Sequence, residues 1–585
     1  MINDFVCKIN ELFNIILEPI DNMFKETAIK KYKISLNIDQ HGFFSKCYIF
    51  NGLYKEKGVV YTPEEISSFI IKNSITHEDI VCNPYIKIAD PACGCGNLII
   101  PCFKYLKEIF SSNLSLINEK NNLHLTEEDL NRHIINNNLY GFDIDRTALK
   151  ILMIDLFNVS GYVNEKNFIH RDFLIDNIHN KFNVFIGNPP YVGHKSVDRA
   201  YSKRLKEKYK DIYRDKGDVS YCFFQGALDN LENNGKLAFI TSRYFMEAQS
   251  GEALRKILKN KVQMYKIVDF YGIRPFKGIG IDPVIIFLYN SINDKDMVEI
   301  IKPIKKNYGR KKGFYESVFL NKGFEFKSFS MATKCLENKG WILIDEEERS
   351  IVEKIKQKSP IILGDICNSY QGIITGCDKA FVIDGETLIK EHIEVDIIRP
   401  WIKSSYINKC FIQGEDKFII YSNLIKNEED YPNAINYIKR YREKLTNRRE
   451  CKKGMRSWYE LQWGRTPEIF ENEKIIFPYK SSDNRFTLDK GSYFSADVYA
   501  LLLKEKCGFS YDFLLYILNS RLYEFYFKTF GKKLGENLFE YYPNNINKLC
   551  IPIIPNYNAK KDDMLLYNFF ELSENEINII ENSLN

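Results

Sequence analysis

The sequence predicts an α/β protein: a mostly parallel, doubly wound sheet with an antiparallel hairpin at its edge, followed by a second, α+β domain. Three observations predict it. Four short apolar runs, YIKIAD (85–90), LYGFDI (139–144), FNVFIG (182–187) and KLAFIT (236–241), each read as a buried strand. Amphipathic stretches over 98–110, 146–158 and 220–232 separate them, and strands alternating with helices build a parallel sheet. The chain has 585 residues, well past the ~250–300 at which a single core stops growing, so at least two domains are expected.

The elements follow in order. Residues 1–50 read as a helical extension, with Phe5, Ile9, Leu12 and Ile16 at helical spacing, packing against the domain that follows. That stretch has neither a basic leader nor a small-residue cleavage site, and no apolar run reaches the ~20 residues of a membrane span, so a cytoplasmic, nucleoid-associated protein with no membrane partner is expected. Residues 51–302 hold the sheet. MYKIVDFYG (264–272) and DPVIIFLY (282–289) form its edge hairpin. Residues 303–340, rich in Lys, Gly and Asn, read as a connector, and 341–585 as the second domain, with more aromatic and basic residues. The fourteen cysteines show no paired metal-ligand spacing and read as small buried hydrophobes, so no metal is expected. A net charge of +5 on this length identifies no partner, so local clusters must.

The first chemical signal is Asp90-Pro91-Ala92-Cys93-Gly94-Cys95-Gly96-Asn97, between a strand and a helix. Glycines there let a ligand approach the main chain, and the helix start favours an anionic group such as the methionine carboxylate of S-adenosylmethionine (SAM). Nucleotide sites share this pattern. The next strand ends in GFDID, which puts Asp143 at its tip, where a carboxylate can accept from two ribose hydroxyls. A third strand leads into Arg171-Asp172-Phe173-Leu174, where Asp172 can accept from an adenine amino group with Phe173 along the ring. Acids at successive strand ends favour an adenosine pocket.

The fourth strand runs into Asn188-Pro189-Pro190-Tyr191. An exocyclic amine on an aromatic base is a poor nucleophile because its lone pair is delocalised into the ring. Two acceptors aimed at its two hydrogens, the Asn188 side-chain oxygen and the Pro189 carbonyl, pull the nitrogen toward sp³. Paired prolines stiffen that carbonyl, and Tyr191 can stack on the target ring.

KGVVYTP (57–63), DPACGCGN, GFDID, RDFL and NPPY, in this order, resemble the γ-class amino-methyltransferases. NPPYVGHK, QGIITGCDKAF (371–381), RRECKKGMRSWYELQWGR (448–465), FPYKSSDNRF (477–486), FSADVY (494–499) and ILNS (517–520) look like the CamA-type orphan adenine methyltransferases of clostridia. The resemblance implies a Rossmann-like SAM-dependent methyltransferase domain and a C-terminal target-recognition domain. It implies SAM as cofactor, held by Tyr61, Thr62, Pro63, Asp90, Ala92, Cys93, Gly94, Gly96, Asp143, Ile144, Asp172, Phe173 and Asn188. It places catalysis at Asn188, Pro189, Pro190 and Tyr191, with Phe276 as a second aromatic face from a later loop.

The partner expected is double-stranded DNA, with N6 of a flipped-out adenine in an A-rich, asymmetric site as the methyl acceptor. Arg448, Arg449, Lys452, Lys453, Arg456 and Arg465 cluster with Trp458, Tyr459 and Trp463, a pattern suited to phosphate and base contact. Gln371, Lys379, Gln462 and Asn484 are candidate base readers, and Gly193, His194 and Lys195 candidate backbone contacts. No nuclease signature is found, and a monomer without an obligate protein partner is expected. Cytosine N4, an RNA base or a protein glutamine amide offers the same kind of nitrogen. A catalytically dead SAM-binding DNA module remains the alternative of another class.

Overall fold

The computed structural model describes residues 2–39, 42–50, 61–193, 196–214, 217–276, 280–292, 297–304, 311–414, 416–505, 507–534, 538–555 and 561–584. The chain divides into two compact units, Met1–Leu343 and Ile344–Asn585.

The first unit is organised by a nine-stranded sheet of β1 (Ile88–Asp90), β2 (Leu139–Asp143), β3 (Phe168–His170), β4 (Phe182–Gly187), β5 (Leu231–Ser242), β6 (Gln263–Asp269), β7 (Pro283–Tyr289), β8 (Met297–Pro303) and β9 (Phe326–Ala332). Its order is β3-β2-β1-β4-β5-β7-β6-β8-β9. The first five strands are mutually parallel. β7 runs antiparallel to both β5 and β6. The reversal of strand order beside β1 opens a crevice at the carboxyl ends, the place where doubly wound sheets bind ligands. Burial explains the composition of the central strands: β1 is buried at all three positions and β7 at six of seven, as apolar runs covered on both faces must be.

Two expectations are corrected. The β6–β7 hairpin is internal, not at the edge, because β8 pairs parallel to β6 and β9 pairs antiparallel to β8. The 303–340 stretch is not a plain connector: FKSFSMA forms β9 in register with β8 over seven residue pairs. As an edge strand β9 buries only Met331, so it needs no apolar run and left none for the sequence to show.

The N-terminal helices pack on this unit. The Ile2–Leu17 helix buries Phe5, Ile9, Leu12 and Ile16 and lies against the Arg146–Ser160 helix. The Phe44–Phe50 helix packs on that same helix, where both carboxylate oxygens of buried Asp155 accept from the Phe44 and Ser45 N–H groups at 2.9 Å. No helix among the described residues is long and apolar enough to cross a membrane.

The second unit is α+β, built from small sheets. One joins the strands Cys367–Gln371, Val498–Leu503, Lys474–Pro478 and Thr487–Asp489. Another joins Val382–Asp384, Lys417–Ile420, Ile398–Ile402 and Tyr493–Phe494. A buried pair, Lys474 with Asp489 at 2.6 Å, crosses the first of them.

Candidate functional site

A cavity of about 380 Å³ opens at the carboxyl ends of β1, β2 and β4. The loop after β1 forms its floor. Gly94 has φ +50°, and a Cβ built there meets nothing within 4 Å, so its backbone faces open space that a ligand can approach closely. Gly96 does a different job. It has φ +87°, and a Cβ would fall 2.2 Å from Leu152 Cδ1, so it lets the loop close onto the Arg146–Ser160 helix rather than lining the cavity.

Carboxylates hold this loop in shape. Asp143 at the tip of β2 accepts from the Gly94 N–H at 2.8 Å through one oxygen and from the Asp145 N–H at 2.7 Å through the other. Asp145 caps the next helix by accepting from the Thr147 and Ala148 N–H groups, and it accepts from the Tyr48 hydroxyl at 3.0 Å. Asp90 is buried and accepts from the Ala92 N–H at 3.0 Å. Burial pushes its carboxyl up to about 7, against that hydrogen bond and assisted by the charge of Asp143. Burial also holds the Cys93 and Cys95 thiols far above their usual range, so both are protonated packing groups.

The far wall carries Asp172, whose Oδ1 accepts from the Leu174 and Ile175 N–H groups, and Phe173, packed on Phe142, Phe185 and Phe223. Tyr61, Thr62, Ala92, Cys93 and Ile144 also line the cavity. Pro63 does not: it starts the Glu64–Ser74 helix, and its carbonyl accepts from Ser67.

Asn188 and Pro190 reach the same cavity from the end of β4. The Asn188 amide is oriented from both ends. Its Nδ2 donates to Thr62 Oγ1 at 3.0 Å, and its Oδ1 accepts from the Tyr191 hydroxyl at 2.6 Å. Pro189 is buried. The two aromatics expected to face a target base are not in the cavity wall. The Tyr191 ring packs against the apolar core with its hydroxyl on Asn188, and Phe276 is buried in that same core at 5% exposure.

Sequence reasoning missed Tyr48, Cys95, Asn97, Asp145, Tyr201 and Phe223, which all line the cavity. The second aspartate of GFDID was a usable signal for Asp145. Tyr48 and Tyr201 come from helices whose local sequence carries no ligand signature.

In the second unit the basic–aromatic set divides. Arg449, Lys452, Lys453 and Lys379 are exposed, and Trp463 is 41% exposed. Trp458 and Tyr459 are half-buried and meet edge to face, with the Arg442 guanidinium 4.8 Å above the Trp458 ring. Arg456 is half-buried beside Glu460. The others turn inward. Arg448 donates to the carbonyls of Leu445, Thr375, Trp458 and Glu460 at 2.9–3.2 Å. Arg465, at φ +63°, donates to the Gly372 carbonyl and to Gln371 Oε1, while Gln371 donates to the Ala496 carbonyl. Gln462 donates to Glu450. Asn484 is buried, donating to the Leu518 carbonyl and accepting from the Tyr541 hydroxyl. Arg448, Arg465, Gln371 and Asn484, expected as contact residues, thus have their donors engaged inside the unit, mostly by backbone carbonyls that would otherwise go unpaired. Gly193 is described and His194 and Lys195 lie outside the described residues. Among the described residues, no group of three or more His, Cys, Asp or Glu is placed to hold a metal ion.

Comparison with known proteins agrees with this division. Residues 137–276 match the Eco57I restriction-modification methylase family, and residues 409–553 match the TaqI-like C-terminal specificity domain. The chain is 23% identical over 588 residues to the Type II methyltransferase M.BanIII of Aneurinibacillus aneurinilyticus, covering 91% of this chain and 96% of that one. The chain is similar to several Type II methyltransferases. A second relative, M.BstVI of Geobacillus stearothermophilus, is 24% identical over 447 residues, 69% of this chain and 76% of its own. Against RM.Eco57I of Escherichia coli, a restriction enzyme and methyltransferase, identity is 23%, and 81% of this chain matches 55% of that one. The fold is that of the Type IIL restriction-modification enzyme MmeI, solved in complex with DNA, at a TM-score of 0.56 and 15% identity over 93% of this chain and 75% of that chain.

The cofactor of this methylase domain is SAM, and the residues present fit it. Gly94 leaves room for close approach, Asp143 stands at the β2 tip for hydroxyl donors, and buried Asp90 offers a carboxylate to a cationic group.

Proposed function

We propose that this protein is a site-specific DNA methyltransferase that modifies N6 of adenine, in the manner of the CamA-type orphan enzymes, without cleaving DNA. The observation that carries the reading is that Asn188 and Pro190, at the tip of β4, face the same cavity as Asp90, Gly94 and Asp143. One of the two proposed acceptors, Asn188, thus lines the SAM pocket, and the second, the Pro189 carbonyl, belongs to the residue between Asn188 and Pro190. SAM supplies, when bound, a methyl group activated by its sulfonium.

The chain's own residues do the rest. Thr62 holds the Asn188 amide so that Oδ1 points away from it, toward Tyr191. A base amino group reaching Oδ1 shares or replaces the Tyr191 hydroxyl there, and the Pro189 carbonyl takes the second hydrogen. Both acceptors localise the nitrogen lone pair, and no strong base is needed because the nitrogen becomes acidic as it is methylated. Release of Tyr191 from Asn188 frees its ring to stack on the base, offsetting part of the few kcal/mol that unstacking costs. Phe276 reaches a base only if its loop shifts from the buried position it holds here. In the second unit, Lys379, Arg449, Lys452, Lys453 and Trp463 are the exposed groups that support DNA contact.

The test is to incubate the protein with genomic DNA and SAM carrying a trideuterated methyl group, then digest the DNA and analyse the nucleosides by mass spectrometry. N6-trideuteromethyl-deoxyadenosine is expected. Label on cytosine N4, or none, overturns the assignment.

A further inference from the structure

We propose that the Arg199–Lys208 helix of the first unit is a phosphate-binding track for the substrate duplex, and that its inner face ties this track to the cofactor cavity. The inference rests on the DNA reading above. The helix, RAYSKRLKEK, carries five cations and one carboxylate in ten residues. The whole chain carries a net charge of only +5, so this is a local concentration of charge. Asp198 fixes the start of the helix, its Oδ1 accepting from the Ala200 and Tyr201 N–H groups at 2.9 and 3.2 Å.

The helix has two distinct faces. Inward, Tyr201, Leu205 and Tyr209 recur every four residues. Tyr201 lines the cavity and is hydrogen-bonded to Asp172, Leu205 is fully buried, and the Tyr209 hydroxyl donates to the Leu174 carbonyl at 2.9 Å. Outward, Arg199, Lys203 and Lys206 follow at i, i+4 and i+7 with Arg204 beside them, all exposed. Lys203 is 80% exposed, and its neighbour Glu207 lies 3.9 Å away and is itself 65% exposed, so this pair does little to neutralise the face.

A row of exposed lysines and arginines is often only a solvated surface. Placement argues for more here. Ser196, Val197 and Asp198, which lead into the helix, line the cavity together with Asn188 and Pro190. A base delivered to Asn188 leaves its own backbone at the mouth of that cavity, where the helix begins. From Arg199 to Lys206 the helix rises about 10 Å, the axial length of roughly three base-pair steps, enough to reach more than one phosphate of a duplex. Because the same helix walls the cofactor cavity, filling the cavity and seating the duplex bias one another, and the coupling is reciprocal.

The experiment uses the full chain, a labelled duplex read by fluorescence anisotropy over a range of salt, and S-adenosylhomocysteine as an unreactive cavity ligand. The triple variant K203Q/R204Q/K206Q is expected to bind duplex at least tenfold more weakly at low salt. Its log–log salt slope should be shallower by about 0.9 for each phosphate that the helix no longer neutralises. Its thermal midpoint and affinity for S-adenosylhomocysteine should match the wild type. Tyr201→Phe should keep the wild-type salt slope and midpoint but lose the gain in duplex affinity that S-adenosylhomocysteine confers. An unchanged slope in the triple variant overturns the track, and a retained gain in Tyr201→Phe overturns the coupling. If the wild-type protein itself shows no salt-dependent duplex binding, the DNA reading fails, an outcome distinct from either of these.

Discussion

Arg448 and Arg449 are adjacent in sequence, and the structure gives them opposite jobs. Arg448 is half-buried, and its guanidinium donates to four backbone carbonyls drawn from three separate segments, at Thr375, Leu445 and the Trp458–Glu460 turn. Hydrogen bonds to a charged donor contribute about 1.5–3 kcal/mol each, but these four share one group and their carbonyls regain some water when it is removed. Arg448→Ala should therefore destabilise the second unit by about 3–4 kcal/mol, toward the upper end of single-substitution effects. Arg449→Ala, on an exposed side chain, should change stability by less than about 0.5 kcal/mol and instead flatten the salt dependence of DNA binding by up to about 0.9. Tryptophan fluorescence during urea unfolding suits the test, because Trp401, Trp458 and Trp463 lie in the second unit and only Trp341 in the first. An Arg448→Ala protein with an unchanged unfolding midpoint and a flattened salt slope would refute this division and restore Arg448 as a phosphate contact.

Other consequences concern the cofactor cavity. Asp90 is held near 7 by burial, and a cationic ligand favours its ionised form, so SAM affinity should weaken roughly tenfold from pH 8 to pH 6. Between its ordinary value near 3.8 and about 7 the folded chain binds more protons at Asp90 than the unfolded chain, so this group's contribution to the stability of the ligand-free protein falls as pH rises across that window. Titration calorimetry and thermal melts over pH 5–8.5 check both signs, and a flat affinity profile excludes Asp90 as a cofactor contact. Gly96→Ala forces a Cβ to within 2.2 Å of Leu152 at a positive φ, so a loss of about 2–3 kcal/mol in the first unit is expected, seen as a lower melting temperature and weaker SAM binding. Tyr48→Ala removes part of the cavity wall and the donor to Asp145, and should weaken SAM binding about five- to thirtyfold, or about 1–2 kcal/mol, with turnover at saturating SAM preserved. A change in maximal turnover without a change in SAM affinity would contradict that role.

The sequence was legible where function is written in short local patterns. The glycine loop after β1, the acids at the ends of β2 and β3 and the proline turn after β4 each sit at a strand end, so reading the strands located the cavity. It was less legible where tertiary context decides. β9 is an edge strand of alternating exposure, and its Lys and Ser residues disguised it as linker. The short strands of the second unit, several of only two or three residues, leave too few positions for a period to emerge. The same limit applies to charge: nothing local separates Arg448 from Arg449, because the carbonyls that turn Arg448 inward include one 73 residues away in sequence. Tyr48 belongs to the same class, since the helix that carries it is anchored by Asp155 and its hydroxyl by Asp145, both about a hundred residues downstream.

The most direct test of the catalytic account is single-turnover methyl transfer by Asn188→Ala on a duplex that the wild-type protein modifies, with SAM affinity measured in parallel. Loss of one of two preorganised acceptors predicts a rate lower by about 10²–10³ with SAM affinity within about twofold of the wild type. Transfer at the wild-type rate would contradict it.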